Sequence, residues 1–115
     1  MSKPLFDASE PHFAQLLATC PIVAGAVVSK PLLNIPEGRV VVFAMDGGQE
    51  MTEHRTTMVA IVQVLEGRLR FRVEGQERTM HANDWLVMPR DALHDLTALE
   101  PTRFLLTLLR SSEPA

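Results

Sequence analysis

The chain has 115 residues, of which 46% are hydrophobic and 22% charged, and its formal net charge is -3. This length is enough for one hydrophobic core. The weak negative charge excludes a nucleic-acid partner, because binding to a polyanion requires a clustered basic surface. The apolar stretches at 21–28 and 104–109 are too short to cross a membrane, and no basic segment leads into an apolar signal core. We therefore expect a cytoplasmic protein without a membrane partner.

A short helix is predicted within the first twenty residues. Asp7 or Ser9 can cap it, and Pro21 ends it. The apolar residues that recur at helical spacing are Phe13, Leu16, Leu17 and Cys20. Because Cys20 is the single cysteine, it cannot form an internal disulfide, and we interpret it as a buried apolar residue.

From residue 22 onward the pattern changes to short valine-rich runs separated by turn residues, which is typical of β-strands. In the run from Arg68 to Val73, period-2 alternation places three apolar residues inside and three arginines outside. Acidic residues lie close to these arginines in sequence, so we interpret them as a solvated, charge-paired face rather than an anion site. The predicted strands are 22–29, 39–45, 59–65, 69–73, 76–80, 85–88 and 104–109.

This succession of strands predicts an all-β protein with a jelly-roll barrel. Two short turns, Glu66-Gly67 and Glu74-Gly75, join the strands at 59–65, 69–73 and 76–80. This arrangement predicts an antiparallel meander. We expect one domain over 1–115, made of a helical arm at 1–20, a barrel at 21–110 and a frayed tail at 111–115.

Two spaced motifs carry a family resemblance. The first family motif reads G, five residues, H-x-H, three or four residues, E, six residues, G. It falls without a gap on Gly48, His54, Thr56, Ala60 and Gly67. The second reads G, five residues, P-x-G, two residues, H, three residues, N, and falls on Asn83, Pro89, Asp91, His94 and Ala98.

In this spacing the chain resembles the cupin superfamily, as a small single-domain cupin with a double-stranded β-helix, or jelly-roll barrel, of the RmlC-like type. Asn83 and Asp91 replace glycines of the family turns. Asparagine and aspartate tolerate a positive φ better than other non-glycine residues, so we expect both turns to survive. The second motif is therefore predicted to be structurally intact.

The resemblance implies a divalent metal held by two histidines, a glutamate and a third histidine. Only His54 and His94 remain, because Thr56 offers a weak hydroxyl donor and Ala60 offers none. We therefore expect no metal, or a weakly bound divalent transition metal (Zn, Ni, Fe or Mn) at His54 and His94. A carboxylate or amide from the segment before His54 is the alternative third donor. The residues in question are Gln49, Glu50 and Glu53, whereas His12 and His81 are expected at the surface.

A ligand pocket is predicted between the two histidines. An imidazole pair facing a cavity can hold a ligand or relay a proton, since histidine titrates near neutral pH. The alternative is that both rings are buried polar groups satisfied within the barrel, with Thr56 bonding one of them. The predicted pocket residues are His54, Thr56, Ala60, His94, Met45, Met58, Val62, Phe71 and Trp85.

Three hypotheses of function follow. The first is a binding protein for a small organic molecule, metal-free or weakly metallated. The second is a metal-dependent enzyme of the oxygenase, isomerase or decarboxylase type that uses His54 and His94. The third is a structural partner subunit without a small ligand. The resemblance also implies a homodimer, for which the apolar side of the arm and the strand at 22–29 are the natural contact surfaces.

Overall fold

In the computed structural model, residues 3–111 are described, and they contain one helical turn and nine strands. The helix α1 is Leu16–Thr19. The strands are β1 (Val27–Ile35), β2 (Gly38–Met45), β3 (Glu50–His54), β4 (Val59–Glu66), β5 (Arg68–Val73), β6 (Gln76–His81), β7 (Trp85–Met88), β8 (His94–Ala98) and β9 (Thr102–Leu109).

The strands form two facing sheets. One has the order β1-β2-β9-β4-β7 and the other the order β3-β8-β5-β6, and the strand pairs are antiparallel. Consecutive strands change sheet repeatedly, which is the winding of a jelly roll. The predicted all-β jelly-roll architecture is thereby confirmed. No helix among the described residues is long and apolar enough to cross a membrane.

The alternating strands place the core between the sheets. On β4, Ala60, Val62 and Val64 are buried while Gln63 is only half-buried, as the period of two predicts. On β5, Leu69 and Phe71 are buried in the same core. A second, smaller cluster forms on the outer face of the five-stranded sheet, where Cys20 is fully buried. The interpretation of Cys20 as a buried apolar residue is confirmed.

The arm at the N-terminus is not the helix that its periodicity predicts. Only one turn forms, because the apolar residues do not share a buried face: Phe13 is 94% exposed and Leu17 39%. The arm instead runs along β1, where the Leu5 and Phe6 amides donate to the carbonyl oxygens of Pro31 and Leu32 at 3.0 and 2.9 Å. These backbone bonds to the sheet compete with helix formation, and an isolated short helix has little stability of its own.

Three strand predictions need correction. The first strand begins at Val27 rather than Ile22, and β3 and β8 were not predicted. Strand β3 is mostly exposed and polar, so it lacks the apolar alternation that marks a strand. The meander is only partly present. Strands β5 and β6 do form a hairpin through Glu74 and Gly75, but β4 and β5 lie in different sheets and the chain crosses between them at Gly67.

The outer face of β5 carries ion pairs, as predicted. Each exposed arginine on this strand contacts a carboxylate of a neighbouring segment. The pairs are Arg68 with Glu100 at 2.6 Å, Arg70 with Glu77 at 3.9 Å and Arg72 with Asp95 at 2.8 Å. The predicted frayed tail lies outside the described residues apart from Ser111.

Candidate functional site

Two histidines from adjacent strands meet at one end of the barrel. Strand β3 ends at His54 and β8 begins at His94, and these two residues lie directly opposite each other in the ladder. Their ring centroids are 4.1 Å apart and the rings are inclined at 61°. The sequence motifs therefore bring both retained histidines to one place, as the predicted pocket requires.

The hydrogen bonds of the two rings define their tautomers. The Nδ1 atom of His54 lies 2.7 Å from the carbonyl oxygen of Thr52, and Nδ1 of His94 lies 3.0 Å from that of Ala92. A carbonyl oxygen only accepts, so each Nδ1 carries a proton, and in the neutral form of each ring Nε2 is an acceptor. Neither Nε2 has a hydrogen-bond partner among residues 3–111. The backbone rather than Thr56 satisfies the rings.

The two histidines differ in their surroundings. His94 is buried, with 6% of its surface exposed, and its ring stacks on Phe71 at a centroid distance of 5.9 Å. Burial lowers the pKa of His94, and a charge on the neighbouring His54 would lower it further. His94 is consequently neutral at pH 7. His54 is exposed to solvent at the end of an edge strand.

A cavity of about 160 Å³ opens beside the two rings. Among the described residues, its polar lining comes from His54, Thr56 and His94, and no aspartate or glutamate contributes to its wall. A ligand in this space meets hydrogen-bond acceptors on one side and hydrocarbon on the others. The apolar lining residues are Phe43, Met51, Ala60, Val62, Phe71, Met88, Leu96, Phe104, Leu106 and Leu108.

Six of the nine residues predicted for the pocket line this cavity, and three do not. Met45 is fully buried at the opposite end of β2, where it fills the core. Met58 packs against the core from the segment before β4. Trp85 is 59% exposed on the edge strand β7, because it pairs with the outward-facing Gln63. The residues that line the cavity are His54, Thr56, Ala60, Val62, Phe71 and His94.

Sequence reasoning missed several lining residues or assigned them only to the core. Phe104, Leu106 and Leu108 recur at every second position of β9, so the alternation of this strand contained the signal. Met51 and Leu96 could not be found in this way, because they lie on β3 and β8, which the pattern did not predict.

The donor set does not fit a tightly held metal. A stable site supplies three or four nitrogen, oxygen or sulfur ligands, whereas here His54 and His94 provide two. The Thr56 hydroxyl accepts from the Met58 amide at 3.2 Å, and Ala60 has no donor atom. Among residues 3–111, no third histidine, cysteine, aspartate or glutamate completes a group that could hold a metal ion.

The carboxylates considered as substitutes lie elsewhere. Glu50 and Glu53 are exposed and line a shallow depression with Arg72 and Asp95 on the outer face of the four-stranded sheet. Gln49 is tied through its backbone to Asp46 and Ala98. His12 and His81 lie at the surface, as predicted.

The turns of the second motif keep their shape despite losing two glycines. Asn83 has a φ of 73° and Asp91 a φ of 66°, so both adopt the left-handed conformation predicted for them. The Asp91 amide donates to the Thr56 carbonyl oxygen at 2.8 Å, and the Arg55 guanidinium donates to the Asp91 carbonyl oxygen at 2.9 Å. These bonds connect the segments that precede Ala60 and His94.

A second, wider opening lies between the edge strands β6 and β7. This lateral cleft has a volume of about 640 Å³. Phe71 lines both the lateral cleft and the histidine cavity, so its ring forms a wall between them. The other lateral cleft residues are Val73, Glu74, Gln76, Arg78, Thr79, Met80, Asp84, Trp85 and Leu86.

Comparison with known proteins finds a matching family profile and similar solved structures. A family profile described as a cupin domain matches residues 41–108. No curated protein sequence matches the chain. A conserved protein of unknown function from Streptococcus pyogenes superposes with a TM-score of 0.84 at 21% identity, covering 97% of this chain and 98% of that one.

Two further solved structures are similar over most of their length. KdgF from Halomonas sp. has a TM-score of 0.74 at 23% identity, with 90% of this chain and 97% of that chain covered. A protein from Ralstonia eutropha, provisionally named a mannose-6-phosphate isomerase, has a TM-score of 0.77 at 25% identity, with 88% and 100% covered. Similarity at these identities shows a shared fold.

Proposed function

The chain belongs to the cupin family, and from that premise we propose that it binds a small organic molecule in the cavity between His54 and His94. The observation that carries this proposal is the pair of unpartnered Nε2 atoms beside a largely apolar space. Each Nδ1 is already bonded to the backbone, so both rings hold a fixed orientation toward a ligand.

The residues that line the cavity indicate which kind of ligand would fit it. In its neutral form each imidazole offers Nε2 as an acceptor, which favours a ligand that carries a hydroxyl or an N–H donor. The apolar wall favours a hydrocarbon body. A volume near 160 Å³ suits a ring-sized group, since an engineered apolar cavity of about 150 Å³ in another protein binds benzene. A larger molecule would place one end in the cavity and the rest outside.

Binding without a tightly held metal follows from the donor set. Two imidazoles leave most coordination positions to water, and the cavity wall contributes no negative charge to offset a dication. The ligand, rather than a metal, then satisfies the two Nε2 atoms. The homodimer and the cytoplasmic location expected from the sequence stay predictions.

A metal-dependent enzyme is the second candidate function. The observation that favours it is the tautomer of the rings, because Nδ1–H leaves each Nε2 able to coordinate an ion. The provisional isomerase name of the Ralstonia eutropha relative belongs to that protein. A reaction of that kind in this chain would require further donors from the ligand itself.

Calorimetric titration separates the two candidates. Phenol, which combines a ring with one hydroxyl donor, should bind chelator-treated protein, and His54→Ala or His94→Ala should weaken binding roughly tenfold. His81→Ala is the matched control, because this surface histidine lies next to Asp84 away from the cavity and should change nothing.

Titration of the same chelator-treated protein with Zn²⁺ completes the experiment. We expect weak binding, in keeping with two protein donors. Binding with a dissociation constant well below about a micromolar that disappears in His54→Ala would reject the proposal and support the metal-dependent enzyme.

A further inference from the structure

We propose that the ligand is a small hydroxylated organic acid, whose hydroxyl donates to one ring of the histidine pair and whose carboxylate is held by Arg39. This inference rests on the proposed function, because it uses the same cavity. It adds a residue that neither sequence motif contains and names the chemical class of the ligand.

The strand register places Arg39 on the cavity side of its sheet. Arg39 of β2 lies directly opposite Leu108 of β9, and Leu108 lies directly opposite Ala60 of β4. Residues directly opposite each other in an antiparallel pair share a face. Because Leu108 and Ala60 both line the cavity, Arg39 projects from the same face beside them.

Arg39 also lies at the histidine end of the barrel. Strand β3 ends at His54, and only residues 55–58 separate it from β4, which begins at Val59. Ala60 and His54 are thus at one end of the two facing sheets, and the row that contains Ala60, Leu108 and Arg39 runs across that end. Phe43 of β2 and Met51 of the edge strand β3 line the same cavity, so these two strands lie on the same side of the barrel.

The guanidinium of Arg39 lacks a partner. Its Nε is buried without a hydrogen bond, and Arg39 forms no ion pair among the described residues. The contrast with Arg103 is clear, because Arg103 is half-buried on β9 and contacts the carboxylate of Glu66. A buried donor without an acceptor costs free energy, and a ligand carboxylate would supply the missing acceptor.

A second arginine raises the positive potential around Arg39. Asn34 lies directly opposite Arg39, and its side-chain oxygen accepts from Nη2 of Arg110 at 2.8 Å. Arg110 also donates to the carbonyl oxygen of Ile35. No carboxylate among the described residues lines the cavity, and Arg39 lies next to the wall residue Leu108, so the carboxylate of a ligand would meet Arg39 at the edge of the cavity.

The histidines and Arg39 recognise different groups of the ligand. The Nε2 lone pair of the neutral His94 ring would repel a carboxylate but accept from a hydroxyl. The planar guanidinium matches a carboxylate in a bidentate geometry. A ligand that carries both groups on a ring-sized body gives one Nε2 atom a donor and gives the Arg39 guanidinium an acceptor.

The test uses two probes that differ in one group. Chelator-treated protein is titrated with 3-hydroxybenzoate and with 3-hydroxybenzamide, which share the ring and hydroxyl but differ in charge. We expect the benzoate to bind about tenfold more tightly, as a charge-assisted bond implies. Arg39→Gln should remove that difference without changing the affinity for the benzamide.

Two further variants keep the test interpretable. Arg39→Lys retains the charge but loses the bidentate geometry, so it should bind the benzoate with intermediate affinity. Arg78→Gln is the matched control, because Arg78 lines the lateral cleft and bonds only the Glu77 carbonyl oxygen among the described residues. It should bind both probes as the wild type does.

Three outcomes would overturn the inference. One is equal affinity of the wild type for both probes, and another is a benzoate preference that survives in Arg39→Gln. The third is loss of the preference in Arg78→Gln with a change in the fluorescence of Trp85, the single tryptophan, which would place the anion in the lateral cleft. The proposed function fails separately, when His54→Ala and His94→Ala leave the affinity for the neutral benzamide unchanged.

Discussion

The two ends of the barrel differ in whether their polar side-chain atoms have hydrogen-bond partners. At the closed end, which we define by Met45, Leu69, Ala98 and Thr102, these four residues have no exposed surface. The Thr102 hydroxyl accepts from the Arg68 amide at 3.1 Å and lies 2.7 Å from the Glu100 carbonyl oxygen. Every polar atom of that side chain is satisfied inside the protein.

The open end, defined by His54, Ala60, His94, Leu108 and Arg39, keeps polar atoms without partners. Both Nε2 atoms and the Nε of Arg39 lack hydrogen bonds among the described residues. Native proteins pair nearly all of their buried polar groups, so the buried, unpaired Nε of Arg39 supports the proposed ligand site at this end. The closed end stabilises the fold, and the open end is available for binding.

The largest effect should come from altering the closed end. Gly67 has a φ of 93°, and a Cβ there would lie 2.8 Å from the Thr102 Cα and still closer to the Pro101 carbonyl oxygen. Gly67→Ala should therefore lower the free energy of unfolding by more than about 3 kcal/mol, because rigid backbone must move. Chemical denaturation of the wild type and of Gly67→Ala measures this difference in the free energy of unfolding.

Gly75→Ala provides the control for that substitution. Gly75 has a φ of 79° but open space around its Cβ position, so only the backbone conformation is penalised. The expected cost is about 1 kcal/mol. Equal losses in the two variants would contradict the role assigned to close packing at the closed end.

The next largest effect concerns the metal ligands missing from the open end. Thr56 and Ala60 both line the cavity with His54 and His94. The double variant Thr56→His/Ala60→Glu restores the family ligand types, and its Zn²⁺ affinity should exceed that of the wild type by at least about a hundredfold. Calorimetry measures this gain, and each single variant should give a smaller one. No gain in the double variant would show that the lost ligands are not what prevents metal binding.

A smaller effect should appear in the pH dependence of stability. Burial lowers the pKa of His94 below its ordinary value of 6.5. Below pH 6.5, His94 therefore binds a proton in the unfolded chain while it is still neutral in the folded protein. The free energy of unfolding consequently falls as the pH decreases toward the folded-state pKa of His94. Above pH 6.5 this residue contributes no slope.

His94→Gln should flatten that part of the profile relative to the wild type, while His81→Ala should leave it unchanged. Denaturation at several pH values between 5 and 8 gives the comparison. A slope that is equally steep in His94→Gln would mean that other groups cause it. The stability of His81→Ala at pH 7 should stay within about 0.5 kcal/mol of the wild type, the smallest effect expected here.

Much of the sheet framework could be predicted from the sequence, whereas at the closed end the alternation predicts only Leu69 as a core residue and Met45 is assigned to the pocket instead. Strands β4, β5 and β9 alternate clearly, and Asn83 and Asp91 occupy turns that need a positive φ. Local conformation decides these features, and local conformation is what residue patterns encode. The family spacing then places His54 and His94 together.

The rest of the open end depends on long-range pairing. Strands β3 and β8 are polar or short, and they form by pairing with strands that are distant in sequence, β3 with β8 and β8 also with β5. Arg39 begins an otherwise apolar run in β2, and nothing near it in sequence shows that it lacks a partner. Its position beside the cavity follows only from its pairing with Leu108, a residue 69 positions further along the chain.

The most direct test of the central claim is a crystal structure of protein purified without chelator, with anomalous data collected near the absorption edges of zinc, nickel, iron and manganese. We expect density for an organic molecule or water between the Nε2 atoms of His54 and His94, without an anomalous peak. A strong anomalous peak at full occupancy, about 2.0–2.1 Å from both Nε2 atoms, would contradict it.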